Sequence, residues 1–171
     1  MSLSFEDLLE QAKNDPDIQI TREQLEDWLQ ENSIDDNYHY LENKTLSIIQ
    51  EEIKESMNDL CCVPFATRED YKTRLEGWRK IEDMRDFQRG KHIRFIHKMT
   101  GKMTNVMIAL DLKFNKTGTT VMSRYINGGP IALQHSFDNN LIYQKITPEE
   151  YMVLLANQYT QLRTESSDEP S

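Results

Sequence analysis

Two hydrophobic periodicities share this chain. Through residue 60 apolar residues recur at three- and four-residue intervals, and beyond Gly90 they alternate with polar ones. The first pattern predicts helices. Ser4 with Asp7 resembles a capping box opening a short helix through Phe5, Leu8, Leu9 and Ala12, with Pro16 at its exit. Thr21 and Gln24 form a second box, with Ile20 and Leu25 at the positions of a hydrophobic staple. Leu25, Trp28 and Leu29 make the apolar stripe of that helix. A longer helix is predicted over residues 36–60. Its apolar residues Leu46, Ile49, Ile53, Met57 and Leu60 step by 3, 4, 4 and 3 and form one narrow face; Glu51, Glu52, Lys54, Glu55 and Asp59 fill the others. An isolated helix of this length is marginal in water, so the stripe needs a cover. The chain's own core is the preferred cover; a homo-oligomer through residues 36–60 is the alternative.

The second pattern predicts a small sheet. Thr67 with Asp70 is a further capping box, opening a helix through Tyr71, Leu75 and Trp78. After Gly90, Ile93, Phe95 and His97 point one way while His92, Arg94 and Ile96 point the other. Met99-Thr100-Gly101-Lys102 closes a hairpin into a strand over 106–114, and Asn115-Lys116-Thr117-Gly118 turns into the next, 119–126. Asn127-Gly128-Gly129-Pro130 is the strongest turn signal, and strands over 131–137 and 141–146 flank Asp138-Asn139-Asn140. Five short strands leave two open edges unless the sheet closes, so a five-stranded SH3-like or OB-like antiparallel β-barrel is expected. Thr147-Pro148-Glu149-Glu150 then starts a helix with an N-cap, Pro at N1 and Glu at N3. Tyr151, Leu154, Leu155, Tyr159 and Leu162 are expected to dock that helix on the barrel. The fold class is α+β, with a helical arm over 1–64, a barrel domain with flanking helices over 65–163 and a disordered tail over 164–171.

Charge sharpens this division. Of 171 residues with formal net charge −9, residues 1–60 hold 16 acids and 4 bases, whereas 61–163 hold 10 acids and 16 bases. The arm is therefore acidic and the barrel segment basic. All six glycines lie after residue 76, as expected if the first third is helical and the later part turns often. No apolar run is long enough to span a membrane, and residues 1–7 lack the basic and apolar regions of a secretory signal. Cys61 and Cys62 are adjacent, a spacing that disfavours a mutual disulfide, so free thiols in a reducing, intracellular setting are expected.

Candidate chemistry is sparse. The four histidines (His39, His92, His97 and His135) have no companion at zinc-ligand spacing, and Cys61-Cys62 has no basic neighbour to favour a thiolate. Paired carboxylates such as Asp35-Asp36 and Glu51-Glu52 belong to the acidic background of the arm. Gly128-Gly129-Pro130 precedes a strand, where no helix N-terminus can cradle a phosphate. No catalytic residue, metal or cofactor is expected, and the chain reads as no enzyme.

The basic residues carry the biochemical signal. Arg85, Arg89, Lys91, Arg94, Lys98 and Lys102 fall within 18 positions, interleaved with Phe87, His92, Phe95 and His97; Lys113, Lys116 and Arg124 join them across the sheet. Small barrels bind nucleic acids with aromatic platforms set among cations. The same cations can instead pair with acidic groups, those of residues 1–60 or of a protein partner. The candidate face is thus Arg89, Lys91, Arg94, Lys98, Lys102 and Arg124, and the preferred role is charge pairing with protein.

Trp78, Ile81, Gly90-x-x-Ile93-Arg94-Phe95, Gly128-Gly129 and Ile142-Tyr143-x-Lys145 resemble small β-barrel proteins encoded by large double-stranded DNA viruses. The likeness spans residues 78–146. It departs where Ile131-Ala132-Leu133-Gln134 stands in place of an aromatic-led strand, and the glycine pair comes later than usual. The resemblance implies a virus-encoded accessory or virion-associated protein, in host cytoplasm or virion, with protein partners in a larger assembly and no chemistry of its own. The alternative is a nucleic-acid-associated factor acting through the basic face.

Overall fold

The computed structural model describes residues 23, 27, 36–129 and 131–167. The capping boxes and helices expected before residue 36 lie outside the described residues, apart from Glu23 and Asp27, which are helical and exposed. The described chain forms two compact units, residues 36–48 with 147–167, and residues 49–146.

In the first unit a 3-10 helix, Asp36–Leu41, packs beside α3, Pro148–Ser167. The side-chain amide of Asn157 donates to the carbonyls of Leu41 (2.8 Å) and Lys44 (2.9 Å), and Tyr40 donates its hydroxyl to the Glu150 carboxylate. The start of α3 is the expected reciprocal box: Glu150 N–H donates to Thr147 Oγ1 at 3.3 Å, and Thr147 N–H to Glu150 Oε2 at 2.9 Å. Tyr151, Leu154 and Leu155 are buried, with Tyr159 and Leu162 half-buried. The helix runs to Ser167, so residues 164–167, assigned above to a disordered tail, continue it; Thr164 Oγ1 bonds back to the carbonyl of Thr160.

The single helix expected over 36–60 is two elements. Asn43 adopts φ 59°, a left-handed conformation that Asn tolerates and a helix does not, and Thr45 Oγ1 accepts the N–H of Ile48. The second element, α1, is Leu46–Asn58. Leu46, Ile49, Ile53, Met57 and Leu60 are all buried in the single chain, none more than 8% exposed.

The second unit centres on a six-stranded antiparallel sheet, β1 Trp78–Ile81, β2 His92–His97, β3 Met107–Asn115, β4 Gly118–Tyr125, β5 Leu133–Ser136 and β6 Asn140–Lys145. Their order is β1-β6-β2-β3-β4-β5. The sheet has six strands where five were expected, and it is open: β1 and β5 are its two ends. The additional strand is β1, which the sequence placed at the end of a helix. The helix there, α2 (Phe65–Arg74), stops before Gly77 (φ 76°), and Trp78 to Ile81 pair with Lys145 to Ile142. The Thr67/Asp70 box does not cap α2, because Pro64 occupies the N-cap and both residues lie inside the helix. Asp70 pairs with Arg74 instead, at 3.0 Å.

The turns behave as read from sequence. Asn115 pairs with Gly118 across Lys116 and Thr117, and the 97–102 hairpin closes through His97 N–H to the Lys102 carbonyl. One sheet face carries the core: Ile81, Ile93, Phe95, Met107, Ala109, Val121 and Ile142, joined by Phe87, with Leu112, Leu133 and Phe137 against them. On the opposite face Tyr143, fully buried, meets the hydroxyl of Ser56 on α1 at 2.8 Å.

Candidate interaction surface

Strand parity decides where the basic residues go. Ile93 and Phe95 face the core, so His92 and Arg94 face away from it. Register extends that outer row: His92 pairs with Ile108, and Ile108 with Arg124. His92 and Arg124 are exposed, and Arg94 is half-buried. The structure thus brings Arg94 and Arg124 to one face of the sheet. It does not bring the other candidates to them as a free patch. Arg89 pairs with Asp111 at 2.6 Å, and Lys98 donates to the carbonyl of Asp138 at 2.6 Å. Lys91 is half-buried before β2, and Lys102 is exposed on the 97–102 hairpin. Arg85 is held by Asp83 through both side chains, and that contact keeps the Asp83 carboxyl at about 2, well under the usual carboxylate range. These carboxylates belong to residues 83–111, not to the acidic first sixty residues.

Of the four rings interleaved with the cations, the two phenylalanines are buried, while His92 is exposed and His97 half-buried. Phe87 and Phe95 are 9% and 0% exposed and belong to the core cluster. The same alternation that turns Arg94 outward turns Phe95 inward, which takes the two phenylalanines out of any stacking platform for single-stranded nucleic acid.

Arg79, on β1, shows a polar device that the sequence did not reveal. Its side chain is 3% exposed and donates to the carbonyl of Asp86 (2.9 Å) and to Gln144 Oε1 (3.2 Å). Gln144 in turn exchanges two hydrogen bonds with the backbone of Gln88. The network ties segment 84–88 to the sheet through Arg79 Nη2 and the Gln144 amide.

A cleft of about 470 Å³ lies beside β1, lined in part by Asp59, Lys80, Glu82, Lys98, Phe137 and Asp138. Lys80 pairs with Glu82 at 2.9 Å, so its ammonium is already matched. Among the described residues no three His, Cys, Asp or Glu side chains gather as a metal site. Cys61 and Cys62 are exposed free thiols. No helix of the described residues is long and apolar enough to cross a membrane.

Large apolar side chains are exposed at several places among the described residues, Phe65, Met99 and Phe114 included, and three of them adjoin one turn. Tyr125, Ile126 and Ile131 are 51%, 45% and 73% exposed, around the turn that joins β4 to the terminal strand β5. The sequence signal for them is two isoleucines and a tyrosine flanking the Asn127-Gly128-Gly129-Pro130 turn.

No protein-family model, curated protein sequence or solved structure matches this chain.

Proposed function

We propose that the chain is a non-enzymatic protein-interaction module that presents the β4–β5 end of its open sheet to a protein partner. The observation that carries this reading is the grouping of Tyr125, Ile126 and Ile131 beside terminal strand β5. Large aromatic and aliphatic side chains left in water at one place are what interfaces bury, and an end strand can accept a strand from another chain. The burial of Phe87 and Phe95 favours this reading over nucleic-acid binding, as do the Arg89–Asp111 and Arg85–Asp83 pairs. The resemblance of residues 78–146 to small barrel proteins of large double-stranded DNA viruses extends the proposal to a virion-associated or accessory role. In the same reading the acidic helices predicted before residue 36 add a charged surface to the assembly.

The test is affinity capture from the native source with wild type and the double variant Ile126→Asp/Ile131→Asp in parallel. A protein captured by wild type and lost with the variant is the expected result. Capture that nuclease treatment abolishes, or a capture pattern identical for both proteins, overturns the reading.

A further inference from the structure

A difference in strand length opens a notch in the sheet. β1 ends at Ile81, opposite Ile142, whereas β6 begins earlier, at Asn140. Asn140 and Leu141 are therefore paired on one side only, with His97 and Ile96 of β2. The cleft of about 470 Å³ lies at this notch, and its volume is in the range of small-ligand sites. Its walls come from separate segments: Asp59 and Leu60 follow α1, Lys98 follows β2, and Phe137 and Asp138 join β5 to β6.

The polar groups of the cleft are not balanced. Lys80 is matched by Glu82, and Lys98 donates to a neutral acceptor, the Asp138 carbonyl, at 2.6 Å. The carboxylates of Asp59 and Asp138 make no hydrogen bond or ion pair among the described residues. Set against Lys98 alone, they leave the cleft with an excess of negative charge. Asn140 also lines it and is only 7% exposed. Its Nδ2 donates to the Ser136 carbonyl at 2.8 Å, while its Oδ1 accepts nothing from the described residues. A buried acceptor left without a donor is costly, and a donor brought by a ligand removes the cost. Leu60, Ile81 and Leu141, none more than 5% exposed, supply the apolar part of the lining.

Unmatched oxygens beside an apolar wall complement a compact cation with three N–H donors on an aliphatic stem. We infer that the cleft at the end of β1 binds a primary alkylammonium group, whose N–H donors go to Asn140 Oδ1 and to the Asp59 and Asp138 carboxylates. That head group ends both the lysine side chain of a protein and a free polyamine. None of these residues belongs to the β4–β5 surface, so either reading can fail alone.

The experiment uses the full chain, isotope-labelled, and follows the Asn140 side-chain amide by NMR during titration with n-pentylammonium chloride. Ionic strength is held constant with sodium chloride. Tetramethylammonium is the control cation without N–H donors, and pentanol the control stem without charge. A saturable shift with n-pentylammonium is expected, with a dissociation constant of about 1–10 mM, the range open to so small a ligand. Both controls should bind at least about tenfold more weakly. Asp59→Asn and Asp138→Asn keep the side-chain shape at exposed positions. Each should weaken binding about threefold or more without shifting the melting temperature. Acetyl-lysine methylamide and cadaverine then separate the sources: tighter binding of the first marks a protein lysine, tighter binding of the second a polyamine. Three results overturn the inference: no saturable shift, a control that binds as tightly as n-pentylammonium, or unchanged affinity in the Asp59→Asn/Asp138→Asn double variant.

Discussion

Phe95 and His135 stack face to face, with ring centroids 4.0 Å apart and planes 8° from parallel. They belong to β2 and β5, which β3 and β4 separate in the sheet. In a flat sheet three strand spacings would hold them about 14 Å apart. The stack therefore reports how far the sheet curls: enough to bring β5 over β2, without hydrogen-bonding its two end strands together. A bulge between Ala109 and Asp111 of β3, a feature that bends a sheet, lies on the intervening path.

That stack should make stability depend on pH. Burial pushes the His135 imidazole below its usual value, and its Nδ1 has no hydrogen-bond partner among the described residues. As pH falls below about 6.5 the unfolded chain takes up a proton that the folded chain refuses, so the unfolded state is favoured. Stability should be full above that value, decline as pH falls from it to the folded-state value, and then level off for this group. Urea melts from pH 7.5 to 5 on wild type and His135→Phe measure the effect. Phe keeps a stacking ring, so the variant should lose part of the pH dependence; an identical slope in both proteins would contradict this account.

Tyr143 should resist alkaline titration. Burial raises its phenol above the usual tyrosine range, against the opposing effect of its hydrogen bond to Ser56. Here the folded state keeps a proton that the unfolded state releases, so the associated stability is complete below about pH 10 and is lost as pH rises beyond it. Absorbance at alkaline pH should show one of the seven tyrosines ionising only as the protein unfolds. Tyr143→Phe should remove that late component at a cost of about 1 kcal/mol for the lost hydrogen bond.

Gly101 should tolerate no side chain while Val63 is present. Its φ is +66°, and a Cβ there would overlap Val63 Cγ2. Gly101→Ala should destabilise by about 1–3 kcal/mol through the left-handed backbone and the overlap together. Val63→Ala, itself destabilising, should shrink the additional cost of Gly101→Ala. Denaturant melts of the two single variants and the double variant form the cycle; additive losses would mean that Val63 is not the obstacle.

The stripe on α1 supplies a prediction about assembly. Ile49 and Ile53 are 2% and 5% exposed in a single chain. Truncating both to Ala should lower stability by about 2–5 kcal/mol each and leave the mass in sedimentation equilibrium unchanged. A wild-type mass well above 20.2 kDa that falls in the double variant would show that a second copy covers the stripe.

Local chemistry was legible in this sequence. The Thr147–Glu150 box, the Asn115–Gly118 turn and the three-four spacing of Leu46 to Leu60 each depend on neighbours within a few residues, and each stands in the structure. The break at Asn43 was written locally too, in a residue that accepts a positive φ followed by a capping threonine, but the periodicity beyond it masked the signal. The candidate surface was legible only in composition. Alternation put Arg94 and Phe95 on opposite faces, yet a count of cations among aromatics treats both as one surface.

What the sequence by itself determined is the set of elements whose cause is local: the turns, the cap of the last helix, the alternation along β2 and the buried stripe of α1. Tertiary structure alone decided the rest. Four residues, Trp78 to Ile81, are too few to show a period, and they are a strand because β6, more than sixty residues later, offers an edge to pair with. Closure likewise depends on which strands meet. Once β1 caps the β6 side and β5 curls over β2, the apolar face is covered without a seam, so the sheet stays open. The surroundings of Arg94 have the same origin, because Trp78 and Met103 reach it from two separate segments that only the folded chain brings together.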